Sequence, residues 1–133
     1  MKIKVLVYEN QPPFEAVAWN EVQKIVAIAT IEAQKAGMLN IVFFLASNGN
    51  KLSLVVGGTE TVVGFENGNS ELPYYASKGT QDDNSSIMTA YVSLRHHTEF
   101  SRRYVIPFES GVCAVKEFCT TGLLPHKMEW LEI

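Results

Sequence analysis

Positions 40–65 of the chain hold three β-prone segments joined by two short turns, and this stretch limits the possible folds more than any other. It reads NIVFFLASNGNKLSLVVGGTETVVGF. The Asn48-Gly49 pair favours a tight hairpin turn, and Gly57-Gly58 opens a second turn. The first segment, 40–46, is continuously apolar, which is typical of a strand covered on both faces. The stretch therefore predicts an antiparallel meander.

A helix is predicted before this meander. Asn20 and Gln23 have the spacing of an N-terminal capping box, and Gly37 supplies a C-terminal stop. Trp19, just before the cap, is placed to pack the helix entry onto the core. Between these signals, apolar residues recur at three- and four-residue steps, as in one stripe of an amphipathic helix: Val22, Ile25, Ile28, Ala29, Ala33 and Ala36.

A second helix is predicted near the other end of the chain. Pro107 starts it and Gly122 ends it, while Gly111 inside it costs about 1 kcal/mol relative to alanine. Beyond Gly122 the chain passes Pro125 and runs out extended, so that Trp130 is predicted to lie on the core. One face of this helix is apolar, with Val112, Val115, Phe118 and Cys119.

The remaining segments complete the predicted order. Further strands are expected at 2–8, 72–77, 87–94 and 102–106, with a turn at 95–100. The order is then β-α-β-β-β-β-β-β-α-β. Because strands occur in runs with the helices outside them, the predicted class is α+β, a mostly antiparallel twisted sheet (a meander) with two main helices packed on it. The 133 residues fit one domain, 1–133.

Charge, hydropathy and cysteine spacing argue against several classes of protein. A net charge of −3 argues against duplex nucleic acid as a partner, because phosphate binding needs a basic face. No apolar stretch approaches the roughly 18 residues of a membrane span. Cys113 and Cys119 lie roughly 9 Å apart along a helix, too far for a disulfide. We therefore expect two buried free thiols in a cytoplasmic protein.

The residue types that usually carry chemistry do not form a recognisable set. His96 and His97 are adjacent, so in a strand they point to opposite faces and cannot share a metal. Cys113 lies near the start of a helix, but no histidine stands in a context that indicates a paired base. No glycine-rich phosphate-binding pattern opens a helix. The sequence predicts no cofactor, no metal and no enzymatic activity.

A long polar segment at 66–86 is the remaining candidate for a binding surface. A loop of this length inside a compact domain is commonly functional or mobile. Tyrosines give large contact areas and carboxylates steer basic partners. The alternative is a solvated loop whose tyrosines pack on the sheet. The candidate contact residues are Glu66, Glu71, Tyr74, Tyr75, Asp82 and Asp83.

The C-terminal half resembles the bacterial Imm1 family of immunity proteins. The family pattern is a strand, an Ile-Pro-hydrophobic-acidic step into a helix, an Ala-Val/Leu-x-Glu-Phe core, Thr-Gly, Pro, and Trp before an acidic residue. The upstream segments LSLVVGGTETVVGF and LPYYASKG also resemble the family's meander and short aromatic strand. The resemblance extends from about Leu52 to the end, and before it only the β-α-β order agrees. The pattern falls on 106–109, 114–118, 121–122, Pro125 and 130–132.

This resemblance implies a function that needs no chemistry of its own. Imm1 proteins are encoded beside polymorphic toxins, often with nucleic-acid deaminase domains and sometimes nucleases. They protect the producing cell and its kin by binding the toxin domain and occluding its active site. The implied partner is a toxin domain encoded by the adjacent gene, with no nucleic acid and no membrane involved. The alternative is a small α+β ligand-binding or adaptor domain without a toxin connection. The motif residues are interpreted as structural: Pro107, Phe118, Gly122, Pro125 and Trp130.

Overall fold

The computed structural model describes residues 2–69, 71–80, 87–93 and 96–133. The helices are α1 (Trp19–Ala36) and α2 (Phe108–Thr121), with a short 3₁₀ helix at Arg102–Tyr104. The strands are β1 (Ile3–Leu6), β2 (Phe14–Ala16), β3 (Asn40–Ala46), β4 (Lys51–Val56), β5 (Glu60–Thr61), β6 (Val63–Glu66), β7 (Tyr75–Ser77), β8 (Ile87–Ser93), β9 (His96–Ser101), β10 (Ile106–Pro107) and β11 (Trp130–Glu132).

The strands form one large sheet and a small two-stranded one. Seven strands follow the spatial order β11-β7-β6-β4-β3-β1-β2, and all of these neighbours are antiparallel. The hairpin β8–β9 joins the sheet through a parallel pairing of β8 with β3 at Asn40 and Tyr91. Strands β5 and β10 pair separately. The predicted α+β class, with a meander through β3, β4 and β6, is confirmed.

Both helices pack on the same face of the sheet. Successive strand residues point to opposite faces, and on this face the sheet contributes buried side chains such as Phe44, Leu52 and Val63. Burial of this apolar surface stabilises the fold by about 25 cal/mol per Å². The helices contribute Val22, Val26, Ala29 and Ala33 from α1, and Ala114, Val115, Phe118 and Cys119 from α2.

The opposite face of the sheet is covered only in part. The hairpin β8–β9 folds over the end of the sheet where β3 begins, and a second buried cluster forms there. Its members are Ile41, Val55, Val62, Met88, Ala90 and Val105. Farther along β3, Phe43 and Leu45 are only half-buried. The expectation that β3 is covered on both faces is therefore correct for its first part and wrong for the rest.

Three segments differ from the predicted elements. Residues 95–100 were expected to turn, but β9 occupies 96–101. Among the strands that the structure describes, it pairs with β8 alone as an outer strand, which explains its polar composition. Residues 102–106 were expected to form a strand, but a 3₁₀ turn begins there, capped by the Ser101 side chain. Strand β2 was not predicted, because the two preceding prolines indicate a loop; an edge strand tolerates them.

The first helix begins earlier, and faces the core differently, than its sequence pattern indicates. Its N-cap is Ala18, without a side-chain hydrogen bond, so the predicted capping box at Asn20 and Gln23 is wrong. Trp19 is the first helical residue and packs half-buried against the core. Ile28 and Ala36 are exposed and Val26 is buried instead. The stripe of buried residues on α1 is therefore rotated about the helix axis, by less than half a turn, relative to the predicted stripe.

The second helix lies where the sequence predicts it, but two of its residues have unexpected environments. Gly111 is buried where α2 crosses β4 and β5. Both cysteines are free, and Cys119 is buried, but Cys113 is exposed, so the expectation of two buried thiols is wrong. Within the described part of the chain, neither helix is long and apolar enough to cross a membrane.

Candidate functional site

The half of the sheet that neither the helices nor the hairpin cover forms a candidate binding surface. A row of facing residues crosses it from strand to strand. These side chains point away from the helices, because their neighbours along each strand belong to the helix-side core. We call this row and its surroundings the open face. The row consists of Leu6, Phe43, Ser53, Gly64, Ala76 and Leu131.

The centre of the open face is a groove of about 190 Å³. Its floor is made of three small residues on neighbouring strands, Ser53, Gly64 and Ala76. Larger side chains surround this floor, including Phe43 and Phe100. Small floor residues between large neighbours are what produces the concavity.

Glycine at position 64 leaves the floor of the groove without a side chain at that point. A Cβ atom there would lie 2.8 Å from the Ser53 Oγ, closer than ordinary Cβ contacts. Since Gly64 has no side chain, the backbone of β6 itself forms this part of the surface. A ligand or partner can therefore approach the sheet backbone directly at this point.

One end of the groove carries an ion pair. The Lys51 Nζ lies 3.3 Å from a Glu66 carboxylate oxygen, and the two side chains are 36% and 38% exposed. The same ammonium lies 5.1 Å from the centroid of the Phe43 ring, within cation–π range. Both charges therefore keep a solvent-facing side beside the aromatic wall.

The structure places the predicted contact residues in different environments. Glu66 and Tyr74 line the groove. Tyr75 touches its edge, but its ring lies 6.4 Å from that of Phe65 and packs against the helix-side core. Glu71 is exposed in the preceding loop, where its backbone exchanges hydrogen bonds with the Asn67 side chain. Asp82 and Asp83 lie outside the described residues.

The groove also contains residues that sequence reasoning did not select, namely Phe43, Ser53, Gly64 and Phe100. A signal was present in the meander. Ser53 and Gly64 each lie between apolar neighbours on their strands, and in the antiparallel register they face each other. Small residues at facing positions leave room for a ligand or another backbone to approach the sheet closely. Phe100 could not be assigned in this way, because its strand was not predicted.

The residues interpreted as structural motif positions lie in and around α2 and the C-terminal segment. Phe118 is fully buried, edge-on to the Phe65 ring at 6.2 Å. Pro107 is the N-cap of α2, and Gly122 is its left-handed C-cap, with φ of 69°. The Trp130 indole N–H donates to the Pro125 carbonyl at 2.6 Å. None of these residues lines the groove.

The Glu117 carboxylate holds the C-terminal segment against α2. A Glu117 carboxylate oxygen accepts from the His126 backbone N–H at 2.9 Å and lies 2.6 Å from its Nδ1. The Glu117 side chain is mostly buried, and among the described residues its other oxygen has no hydrogen-bond partner. This contact fixes the turn that leads from α2 towards Trp130.

Groups that could support catalysis are dispersed. Across the described residues, no three His, Cys, Asp or Glu side chains are arranged to hold a metal ion. Burial raises the pKa of the Cys119 thiol to about 12, which keeps it protonated and unreactive. Cys113 is exposed in the second turn of α2, where the helix dipole has little effect. The His97 ring lies beside Tyr91, at 5.8 Å between centroids.

A second cavity, of about 250 Å³, lies between α1 and the start of β3. Ala29, Ala33 and Leu39 contribute to its mostly apolar lining. Asn40 also lines the cavity, and its side-chain amide already donates to the Val7 carbonyl at 3.3 Å. Its other polar side chains are Tyr8, Glu32 and Tyr91, and a mostly apolar lining with a few polar groups is common among small-molecule sites.

Comparison with protein-family models matches residues 13–132, nearly the whole chain, to the family described as "Immunity protein Imm1". The match reaches farther towards the N-terminus than the motif resemblance does. A search of curated proteins returned no match.

Proposed function

Because the chain belongs to the Imm1 family of immunity proteins, we propose that it binds the toxin domain encoded by the adjacent gene and occludes the toxin's active site. The observation that carries this proposal is the family match over residues 13–132. Binding would protect the producing cell and its kin in the bacterial cytoplasm, with residues 1–133 acting as one domain. No step in this mechanism requires the protein to have catalytic groups of its own.

For the toxin, we propose a nucleic-acid deaminase, as the family resemblance implies. An enzyme that processes nucleic acid must present positive charge to phosphates. Carboxylates on an inhibitor can pair with that charge and speed association. In the loop that follows β6, Glu71 is exposed and has its side chain available for such a contact. Asp82 and Asp83 are proposed to contribute from the same segment.

Co-expression of the chain with the toxin domain from the adjacent gene tests this function. We expect growth to be restored and the two proteins to co-purify through an affinity tag on either one. A catalytically inactive toxin domain should co-purify equally well, since occlusion does not depend on turnover. Restored growth without a complex would contradict occlusion.

The acidic loop can be tested in the same system. Changing Glu71, Asp82 and Asp83 together to lysine is expected to weaken toxin binding while leaving the melting temperature nearly unchanged. The combined change of Glu21, Glu32 and Glu109 to lysine, three exposed carboxylates on the two helices, provides a charge-matched control. Unchanged affinity of the loop variant would place the interface away from this loop.

A further inference from the structure

We propose that the groove on the open face receives a bulky apolar side chain of the toxin domain, and that Lys51 and Glu66 bind oppositely charged toxin residues beside it. This inference rests on the proposed function and assigns it a surface. The proposed occupant of the groove is a protein partner that presents an apolar side chain flanked by an acidic and a basic one.

The size and lining of the groove fit one apolar side chain. A dry protein cavity of about 150 Å³ binds benzene, so the groove's volume of about 190 Å³ can hold an aromatic ring. Phe43 and Phe100 are half-buried at its sides. Covering them would remove further apolar surface from water, and such central, desolvated pockets hold the residues that dominate interface energies.

The ion pair at the end of the groove is complementary to a partner surface that carries one acidic and one basic side chain. Lys51 and Glu66 are paired with each other but more than a third exposed. Each can therefore take a second, opposite charge from the partner and extend the pair into a network. Because the two positions are fixed by the β4–β6 register, the order of charges on the partner determines its orientation. Such complementarity gives specificity more than affinity.

The shape of the surrounding surface favours a protein over a small molecule. The row of open-face residues crosses six strands, which at about 4.8 Å per interval gives a width of about 24 Å. Small-molecule sites bury most of their ligand, whereas this surface is shallow and wide. A standard interface needs about 800 Å² on each partner, so the groove would be the centre of a larger contact.

A second exposed apolar pair, on α1, lacks these features. Ile28 and Ile31 are 58% and 51% exposed on the outer side of α1. They form a convex patch on a helix, and no ion pair given by the structure lies beside them. This patch provides an alternative against which the groove can be tested.

Filling the groove tests the apolar part of the inference. In Ser53→Tyr a large, β-prone side chain would cover the Gly64 floor from a half-exposed strand position. Thr89→Tyr is the matched control, because Thr89 is a half-exposed hydroxyl residue on β8 that faces away from the second buried cluster. Affinity for the purified toxin domain is measured by calorimetry, and melting temperatures verify that both variants fold.

We expect Ser53→Tyr to weaken the toxin complex by about tenfold or more, as truncation of a central contact does, while Thr89→Tyr binds like the wild type. Equal binding by Ser53→Tyr would overturn the groove assignment. Loss of binding in Ile31→Arg, with Ser53→Tyr unaffected, would assign the interface to α1 instead. If the wild-type chain itself does not bind, the proposed function fails and the groove assignment with it.

Exchanging the two charges tests whether the toxin binds them. Glu66→Lys alone is expected to weaken the complex, and the double change Lys51→Glu with Glu66→Lys restores the pair inside the protein but reverses its direction. We expect this swap to remain weak. Recovery of wild-type affinity would mean that the pair is only structural. The swap of Lys2 and Glu15, paired at 3.3 Å at the far edge of the sheet, is the control and should leave affinity unchanged.

Discussion

At the scale of single residues, Gly111 determines how closely α2 can lie on the sheet. A Cβ atom at this position would come 2.5 Å from the Thr61 Cγ2 and 2.8 Å from the Leu54 Cδ1. Thr61 cannot easily turn aside, because its hydroxyl bonds the backbone of Val55 at 2.7 and 3.0 Å. Glycine in a helix interior normally destabilises the helix slightly, but here it permits α2 to pack closely on the sheet.

Gly111→Ala is therefore expected to destabilise the protein even though alanine is the better helix former. Overpacking costs about 1–3 kcal/mol, which exceeds the gain of about 1 kcal/mol in helix propensity. Urea unfolding measures the difference. Ser110→Ala, on the exposed side of the same helix, should be neutral or slightly stabilising. A more stable Gly111→Ala variant would contradict the described contact between α2 and β5.

The two thiols should differ sharply in reactivity. Cys113 is exposed, whereas Cys119 is buried with its pKa raised by burial from an ordinary 9.0 to about 12. With a colorimetric thiol reagent at pH 8, we expect one thiol to react promptly and the second only on unfolding. Cys113→Ser should remove the fast phase alone. Prompt reaction of both thiols would show that the core around Cys119 opens readily.

The raised pKa of Cys119 also gives the direction of a pH effect. Below about pH 9 the thiol is protonated in both the folded and the unfolded chain, so its burial carries no ionisation penalty. Between about pH 9 and 12 the unfolded chain loses this proton while the folded chain retains it. The free energy of unfolding should therefore fall as the pH rises above 9, and Cys119→Ala should lack this part of the decline.

At the scale of elements, the β3–β4 turn stabilises the end of α2. The Asn48 and Asn50 side-chain amides donate to the Gly122 carbonyl at 3.0 and 2.8 Å. The last carbonyls of a helix lack partners within the helix, and here a turn more than 70 residues away supplies both donors to the C-cap carbonyl. The turn residues thus have a second role beyond reversing the chain.

Removing both amides should loosen the end of α2. We expect Asn48→Ala with Asn50→Ala to lower the free energy of unfolding by about 1–3 kcal/mol, the cost of leaving a buried carbonyl unsatisfied. The measurement is denaturant unfolding, with Asn10→Ala in an exposed loop as the control. A loss no larger than that of the control would mean that the turn and the helix end are independent.

The elements that could be predicted from the sequence are those with local signals. The β3–β4 hairpin has an Asn-Gly turn between apolar segments, and α2 lies between a proline and a left-handed glycine. Strand β9 pairs with the neighbouring β8, but its polar composition gives no strand signal, and the 3₁₀ turn depends on a distant partner. Arg102, for example, forms two hydrogen bonds with the Glu60 carboxylate, at 2.9 and 3.0 Å, across 42 residues of sequence. No pattern within 95–106 contains that information.

At the scale of the whole molecule, the sheet has one covered face and one partly open face. The sequence could predict the covered face, because its apolar positions follow helical and strand periods. The groove depends on the strand register and on how far the β8–β9 hairpin extends over the sheet. Of its lining, Glu66, Tyr74 and Tyr75 could be selected beforehand, as parts of a polar segment with aromatic residues. Family membership, by contrast, could be predicted from the order and spacing of motifs around α2.

Family membership carries the proposed function, whose central claim is stoichiometric binding of this chain to a toxin. Titration of the purified toxin domain with this chain, followed by the toxin's own enzymatic activity, tests the claim most directly. We predict a linear loss of activity that is complete at one equivalent, with the mixture eluting as one complex. Activity that persists at a large excess of this chain, or that disappears at a small fraction of an equivalent, would contradict it.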